Sequence, residues 1–110
     1  MVRKKLLARP DSAELATSYC IALDVAGRME LSEHLYDSLM ILRPKDVRMF
    51  FNAACNLSRQ GKIDKALDVL EKLQSFAPGK IRETLSDPDF DNVRMMPRYI
   101  KILAVTDKAQ

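Results

Sequence analysis

Apolar side chains recur every three or four residues along most of this 110-residue chain, the period of one face of an α-helix rather than the alternation of a strand. Leu15, Tyr19, Leu23 and Ala26 form one stripe, and Leu31, Leu35, Leu39 and Leu42 the next. Phe50, Ala53, Ala54 and Leu57 form a third, followed by Ile63, Ala66, Leu67, Leu70, Leu73 and Phe76. Glycine or proline stands at each break. Gly27 and Gly61 divide the stripes into pairs, at points where a helix can end on a left-handed residue that a Cβ would penalise. Pro44 and Pro78 close the pairs, because proline lacks the N–H and clashes with a continuing helix. The pattern predicts two helical hairpins. Asp11 and Asp46 are expected as N-caps, with Glu14 completing a capping-box variant after Asp11.

The hairpins are copies of one unit. Pro10, Pro44 and Pro78 are spaced by 34 residues, as are Gly27 and Gly61. The same shift lays Leu23 on Leu57, Met29 on Ile63, Ser32 on Ala66, Leu35 on Val69, Leu39 on Leu73 and Leu42 on Phe76. A fixed period of this size denotes stacked supersecondary units. The chain therefore divides into the tail of a partial repeat or N-terminal cap (1–12), a first unit (13–46), a second unit (47–80) and a closing segment (81–110), all within one domain.

These positions resemble the tetratricopeptide repeat. That 34-residue helix-turn-helix carries a bulky residue early in its first helix, small residues where helices touch, a glycine at the turn and a proline at the end. Ala16 and Phe50 stand where the family prefers Trp, and Cys20 and Ala54 occupy its small packing site. Ala16 and Ser32 depart from the pattern. The resemblance implies an all-α fold, an α-α superhelix of hairpin repeats with C-terminal capping helices. After Lys80 the text Asp87-Pro88-Asp89, then Arg94, then Pro97-Arg98-Tyr99, is similar to a tail that often closes arrays of this family. A terminal hairpin has an apolar face without a neighbour. Leu85, Phe90, Val93, Met96, Tyr99, Ile100 and Leu103 are expected to cover it.

Composition agrees and narrows the chemistry. The chain is 47% hydrophobic and 30% charged, with no Trp and three Gly, the balance of a folded domain rich in helix formers. Its net charge of +3 is concentrated at Arg3, Lys4, Lys5 and Arg9, too little and too local for a nucleic-acid footprint. Cys20 and Cys55 are 35 residues apart without a C-x-x-C, which argues against a disulfide framework or a zinc site and for a reduced compartment. No apolar run reaches a membrane span or a signal-peptide core, so a cytoplasmic chain is expected.

No catalytic residue, cofactor or metal is assigned. The one histidine, His34, stands outside any motif, and general-base work demands partner geometry. Asp87, Asp89 and Asp91 have the spacing that opens a calcium loop, but Asn92 and Arg98 stand where its glycine and bidentate carboxylate belong; a turn capping the next helix is expected. Cys20 and Cys55 read as small hydrophobes, and Met29, Met40, Met49, Met95 and Met96 as core filler.

The resemblance also implies a groove lined by first helices that receives a peptide or helix of a partner protein. Helical geometry selects Glu14, Thr17, Ile21 and Asp24 on the first unit and Arg48, Phe51, Cys55, Ser58 and Arg59 on the second as accessible there. The charges suit a short mixed-charge segment. The residues that clamp a chaperone's C-terminal carboxylate are matched only by Asn52 and Arg48, which argues against that specialisation. The expectation is a non-catalytic interaction module or adaptor. The alternatives are a helical-repeat RNA binder, an escort chaperone of the same repeat type, or the end of a larger signalling protein. A homodimer through an N-terminal edge carrying Val2, Leu6 and Leu7 is also open.

Overall fold

The structure, a computed structural model, describes residues 12–109; Asp11 and the expected dimer edge at Val2, Leu6 and Leu7 lie outside them. Every regular element among the described residues is helical. Four long helices come first: α1 (Ser12–Val25), α2 (Met29–Leu42), α3 (Val47–Arg59) and α4 (Ile63–Phe76). The tail breaks into α5 (Pro78–Ile81), 3-10 turns at Arg82–Leu85 and Pro88–Phe90, the single turn α6 (Asp91–Arg94), and α7 (Pro97–Ala109). Each long helix packs on the next, α1 also meets α3, and α7 lies on α4. The arrangement is an all-helical bundle compatible with a helical repeat.

The predicted turns form for the predicted reason. Gly27 and Gly61 have φ of 81° and 79°. In both, the glycine N–H reaches back three residues and the next N–H five, as in Arg28 N to Leu23 O at 2.8 Å and Lys62 N to Leu57 O at 2.9 Å. This is the paired hydrogen bonding of a Schellman ending. Asp46 caps α3, accepting from the Met49 N–H at 3.0 Å.

One core runs from Ala16 on α1 to Ile102 on α7. Cys20, Ala54 and Ala66 are fully buried, so close approach of helices is bought with small side chains. Ser32, the departure from alanine, donates its hydroxyl to the Cys20 carbonyl at 3.0 Å, which binds α2 to α1 and satisfies the buried oxygen. Phe50 and Phe76 meet edge to face with centroids 5.1 Å apart.

Part of the expected core is corrected. Leu15, Tyr19, Ala26, Leu31 and Leu42 are exposed. On α1 the buried positions are Ala16, Thr17, Cys20, Leu23 and Asp24, a stripe rotated by about one residue from the predicted one. The helix turns its small and polar side toward α2 and α3, and periodicity alone does not say which of two adjacent stripes a neighbour covers. In the tail, Phe90, Val93 and Tyr99 are buried as expected, but Leu85 and Ile100 are exposed while Ile81 and Ile102 take inward positions. Met49 is core; Met95, at 82% exposure, is not.

Polar contacts hold the tail in place. Arg94 donates to the carbonyls of Thr84 at 2.6 Å and Asp87 at 2.8 Å and pairs with Asp91. The Thr84 and Tyr99 hydroxyls share a buried hydrogen bond of 2.7 Å. Arg98 reaches Asp68 at 2.5 Å and also pairs with Glu71 on α4. The motif residues of the tail are thus structural staples.

A second network joins α2 to the start of α4. Glu33, buried on α2, receives Lys62 at 2.6 Å, Lys65 at 2.5 Å and Gln60 at 3.0 Å. Burial by itself would raise its carboxyl, but the three donors win and bring it down to about 2.

Ser58 departs from good practice: expected in the groove, it is fully buried, and its hydroxyl has no partner. A buried hydroxyl without a partner costs about 1–3 kcal/mol of desolvation, and alanine also favours a helix interior. Ser58→Ala is expected to raise the urea midpoint, by about 1 kcal/mol in stability; a lowered midpoint contradicts the assignment of an orphaned hydroxyl.

Candidate functional site

Three elements converge beside α3. Its N-terminal half presents Phe51, whose ring meets Phe90 at 5.4 Å between centroids and carries the Lys80 ammonium 4.8 Å above it. Those contacts draw the turn Pro88–Phe90 against α3, with Asp87 capping it by accepting from the Asp89 N–H at 2.9 Å. The turn reading of the acidic run therefore holds for Asp87. On the opposite side, α1 contributes Ile21, Asp24 and Val25. Between them lies a hollow of about 210 Å³.

Five of the nine residues expected to meet a partner line this hollow: Ile21, Asp24, Phe51, Cys55 and Arg59. The other four do not, Ser58 being fully buried. Thr17 is buried against the neighbouring helices, which corrects its expected accessibility; it shares a face with Cys20 and Asp24 on α1. Glu14 and Arg48 form an exposed ion pair at 3.5 Å between equivalent positions of the two units, a contact of little energetic worth.

The walls of the hollow differ in chemistry. Ile21, Val25 and Phe51 are apolar. The remainder is polar, with the three carboxylates of Asp24, Asp87 and Asp89 against the one guanidinium of Arg59. Asp24, largely buried, is held by the Asn56 amide at 2.7 Å. Cys55 Sγ and carboxylate oxygens of Asp87 and Asp89 lie within 4.8 Å of one another. Arg59 approaches Asp89 at 3.9 Å. Burial raises the Asp89 carboxyl, and the charge of Asp87 adds to the shift. Burial also pushes the Cys55 thiol far up, reinforced by Asp87 and Asp89, so the thiol stays protonated and is no nucleophile at neutral pH. His34 is exposed on α2 and does not line the hollow.

Tyr36, from α2, also lines it, as do Asp87 and Asp89, and sequence reasoning assigned none of these to the groove. The return of the tail across α3 is a long-range contact that no local spacing encodes, and Tyr36 belongs to a second helix, where the resemblance points to no ligand.

A larger hollow, of about 680 Å³, lies between the second helices α2 and α4, with Met40, Ile41, Val69 and Phe76 among its walls and Asp37 and Lys72 among its polar groups. It is mainly apolar, with Lys45 and Ser75 as further polar groups, and none of the residues expected to meet a partner lines it, so the smaller hollow is the one that corresponds to the expected groove.

Comparison with protein-family models, with curated proteins and with solved structures finds no match. No described helix is long and apolar enough to cross a membrane.

Proposed function

We propose that this chain is a tetratricopeptide-type interaction module of two hairpin repeats (13–46 and 47–80) and a capping segment (81–110), stacked as the start of an α-α superhelix. It binds a segment of a partner protein in the hollow between α1, α3 and the turn Pro88–Phe90, without a catalytic step of its own, as a cytoplasmic adaptor. The observation that carries this reading is the convergence in one hollow of five residues selected from two sequence-distant first helices. The 34-residue period and the two matching Schellman turns support the repeat assignment.

Ile21 is the residue to probe, being partly exposed on the wall of the hollow without the ring contacts that tie Phe51 to the tail. Capture from a native lysate with wild type and Ile21→Glu is expected to yield a protein retained by the first and lost from the second. Retention of the same proteins by both variants, with equal melting temperatures, removes the hollow from the partner interface.

The RNA-binding reading is disfavoured by the three carboxylates of Asp24, Asp87 and Asp89 on the walls, which repel phosphate. A filter-binding titration showing nanomolar RNA affinity that falls steeply with salt would reverse that preference. Membership in an escort chaperone or a larger signalling protein is compatible with the same groove.

A further inference from the structure

The hollow carries more carboxylate than its own cations balance. Asp24, Asp87 and Asp89 stand on its walls with Arg59 as the one guanidinium among the lining groups, and Arg59 is 3.9 Å from Asp89 alone. Lys80 lies over Phe51 and pairs at 3.0 Å with Glu83, outside the hollow. A second observation is independent of the acidic cluster. Tyr36 is 1% exposed, lines the hollow, and its hydroxyl has no hydrogen-bond partner. A buried hydroxyl in that state is costly unless something fills its place. Beside the polar groups stand Ile21, Val25 and Phe51, apolar surface that a small ion would leave unused.

We propose that the hollow receives one arginine side chain of the partner segment, its guanidinium among Asp24, Asp87 and Asp89 and its methylene stem along Ile21, Val25 and Phe51. The five N–H donors of a guanidinium match several converging carboxylates better than a point charge does. Tyr36 lines the same hollow, and its unpartnered hydroxyl offers a further acceptor. The volume of about 210 Å³ has room for a side chain and far exceeds a bare ion. A metal on Cys55, Asp87 and Asp89 would have to displace a thiol proton that burial and two carboxylates hold in place, and would gain nothing from the apolar wall. This assignment deepens the interaction-module reading and rests on it only for the molecule that presents the arginine.

The test uses the isotope-labelled full chain and N-acetyl-arginine methylamide as probe, followed by amide chemical shifts. The expected result is saturable shifts at Ile21, Asn52, Cys55 and Asp89 with a dissociation constant on the order of millimolar. The citrulline analogue, equal in shape and uncharged, should bind at least tenfold more weakly. Asp89→Asn should weaken the arginine probe severalfold. Tyr36→Phe should do the same while leaving the melting temperature unchanged or raised, a combination that a purely structural tyrosine would not give. Equal binding of arginine and citrulline probes overturns the proposal, as does an absence of localised shifts, or shifts at these residues caused by zinc or calcium ions alone. The two readings fail separately. A partner lost with Ile21→Glu but indifferent to Asp89→Asn keeps the interaction module and removes the arginine. Arginine binding to a chain that captures no partner does the reverse.

Discussion

A chain ending at Lys80 is expected to lose its cooperative thermal transition and to aggregate. The deletion strips five inward-facing side chains, Ile81, Phe90, Val93, Tyr99 and Ile102, all buried in the single core. At about 1.5–3 kcal/mol for each buried side chain, their gross contribution is on the order of 7 to 15 kcal/mol before ordering entropy is subtracted, as large as the whole stability of a typical domain. The deletion also uncovers polar groups on α4. Gln74 donates to the Ile102 carbonyl at 2.5 Å and to Thr106 at 2.9 Å, and Asp68 and Glu71 lose Arg98. Exposed apolar surface of that extent promotes association. Circular dichroism melts and sedimentation of residues 1–80 against the full chain give the answer: a truncated monomer with the full-length melting temperature contradicts the capping role.

Glu33→Gln is expected to be among the most damaging single substitutions of a polar residue in this chain, and its cost should vanish in acid. The wild-type carboxyl is brought from its ordinary 4.5 down to about 2 in the folded state by Lys62, Lys65 and Gln60, against the opposing effect of burial. A depressed folded-state pKa contributes stability that is fully present above the unfolded value and is lost as pH falls through the folded one. The shift corresponds to an upper figure of about 3 kcal/mol. Both lysines keep more than two-fifths of their side-chain surface in water, so screening reduces the expected loss to about 1–3 kcal/mol. Urea titrations of both proteins at intervals from pH 7 to pH 2 should show the full difference at neutral pH, a decline beginning near pH 4.5 and convergence near pH 2. A gap that stays constant with pH would mean that Glu33 acts through packing instead.

The parts of the fold that were legible in the sequence are those set by local chemistry. Gly27, Gly61 and Asp46 do what their positions imply, because a left-handed turn and a helix cap are decided within a few residues. The second unit is legible, since Phe50, Ala53, Ala54, Leu57, Ala66, Leu67, Leu70 and Leu73 all lie buried between neighbours. The first unit is less so. The apolar character of Leu15 and Tyr19 suggested a core stripe, while the helix buries Ala16, Thr17 and Asp24, residues that no hydropathy pattern selects. No local pattern marks Glu33 for burial, because the cations that make it tolerable lie 29 and 32 positions away at Lys62 and Lys65. For the site, the spacing of first helices brings together five of the expected residues, but its acidic side lies in a turn, Asp87 to Asp89, whose local pattern speaks only of capping.

Arg94, by holding the carbonyls of Thr84 and Asp87, fixes one side of the hollow to the tail. A hairpin inserted between α4 and the tail would carry Asp87 and Asp89 away from Phe51 and Cys55 and set them beside the newcomer's first helix. Lengthening such a chain would therefore move the acidic hollow outward without multiplying it. On the proposed repeat reading, the number of these hollows per chain would stay at one however many hairpins precede the tail, and its lining would be set by whichever hairpin stands beside it.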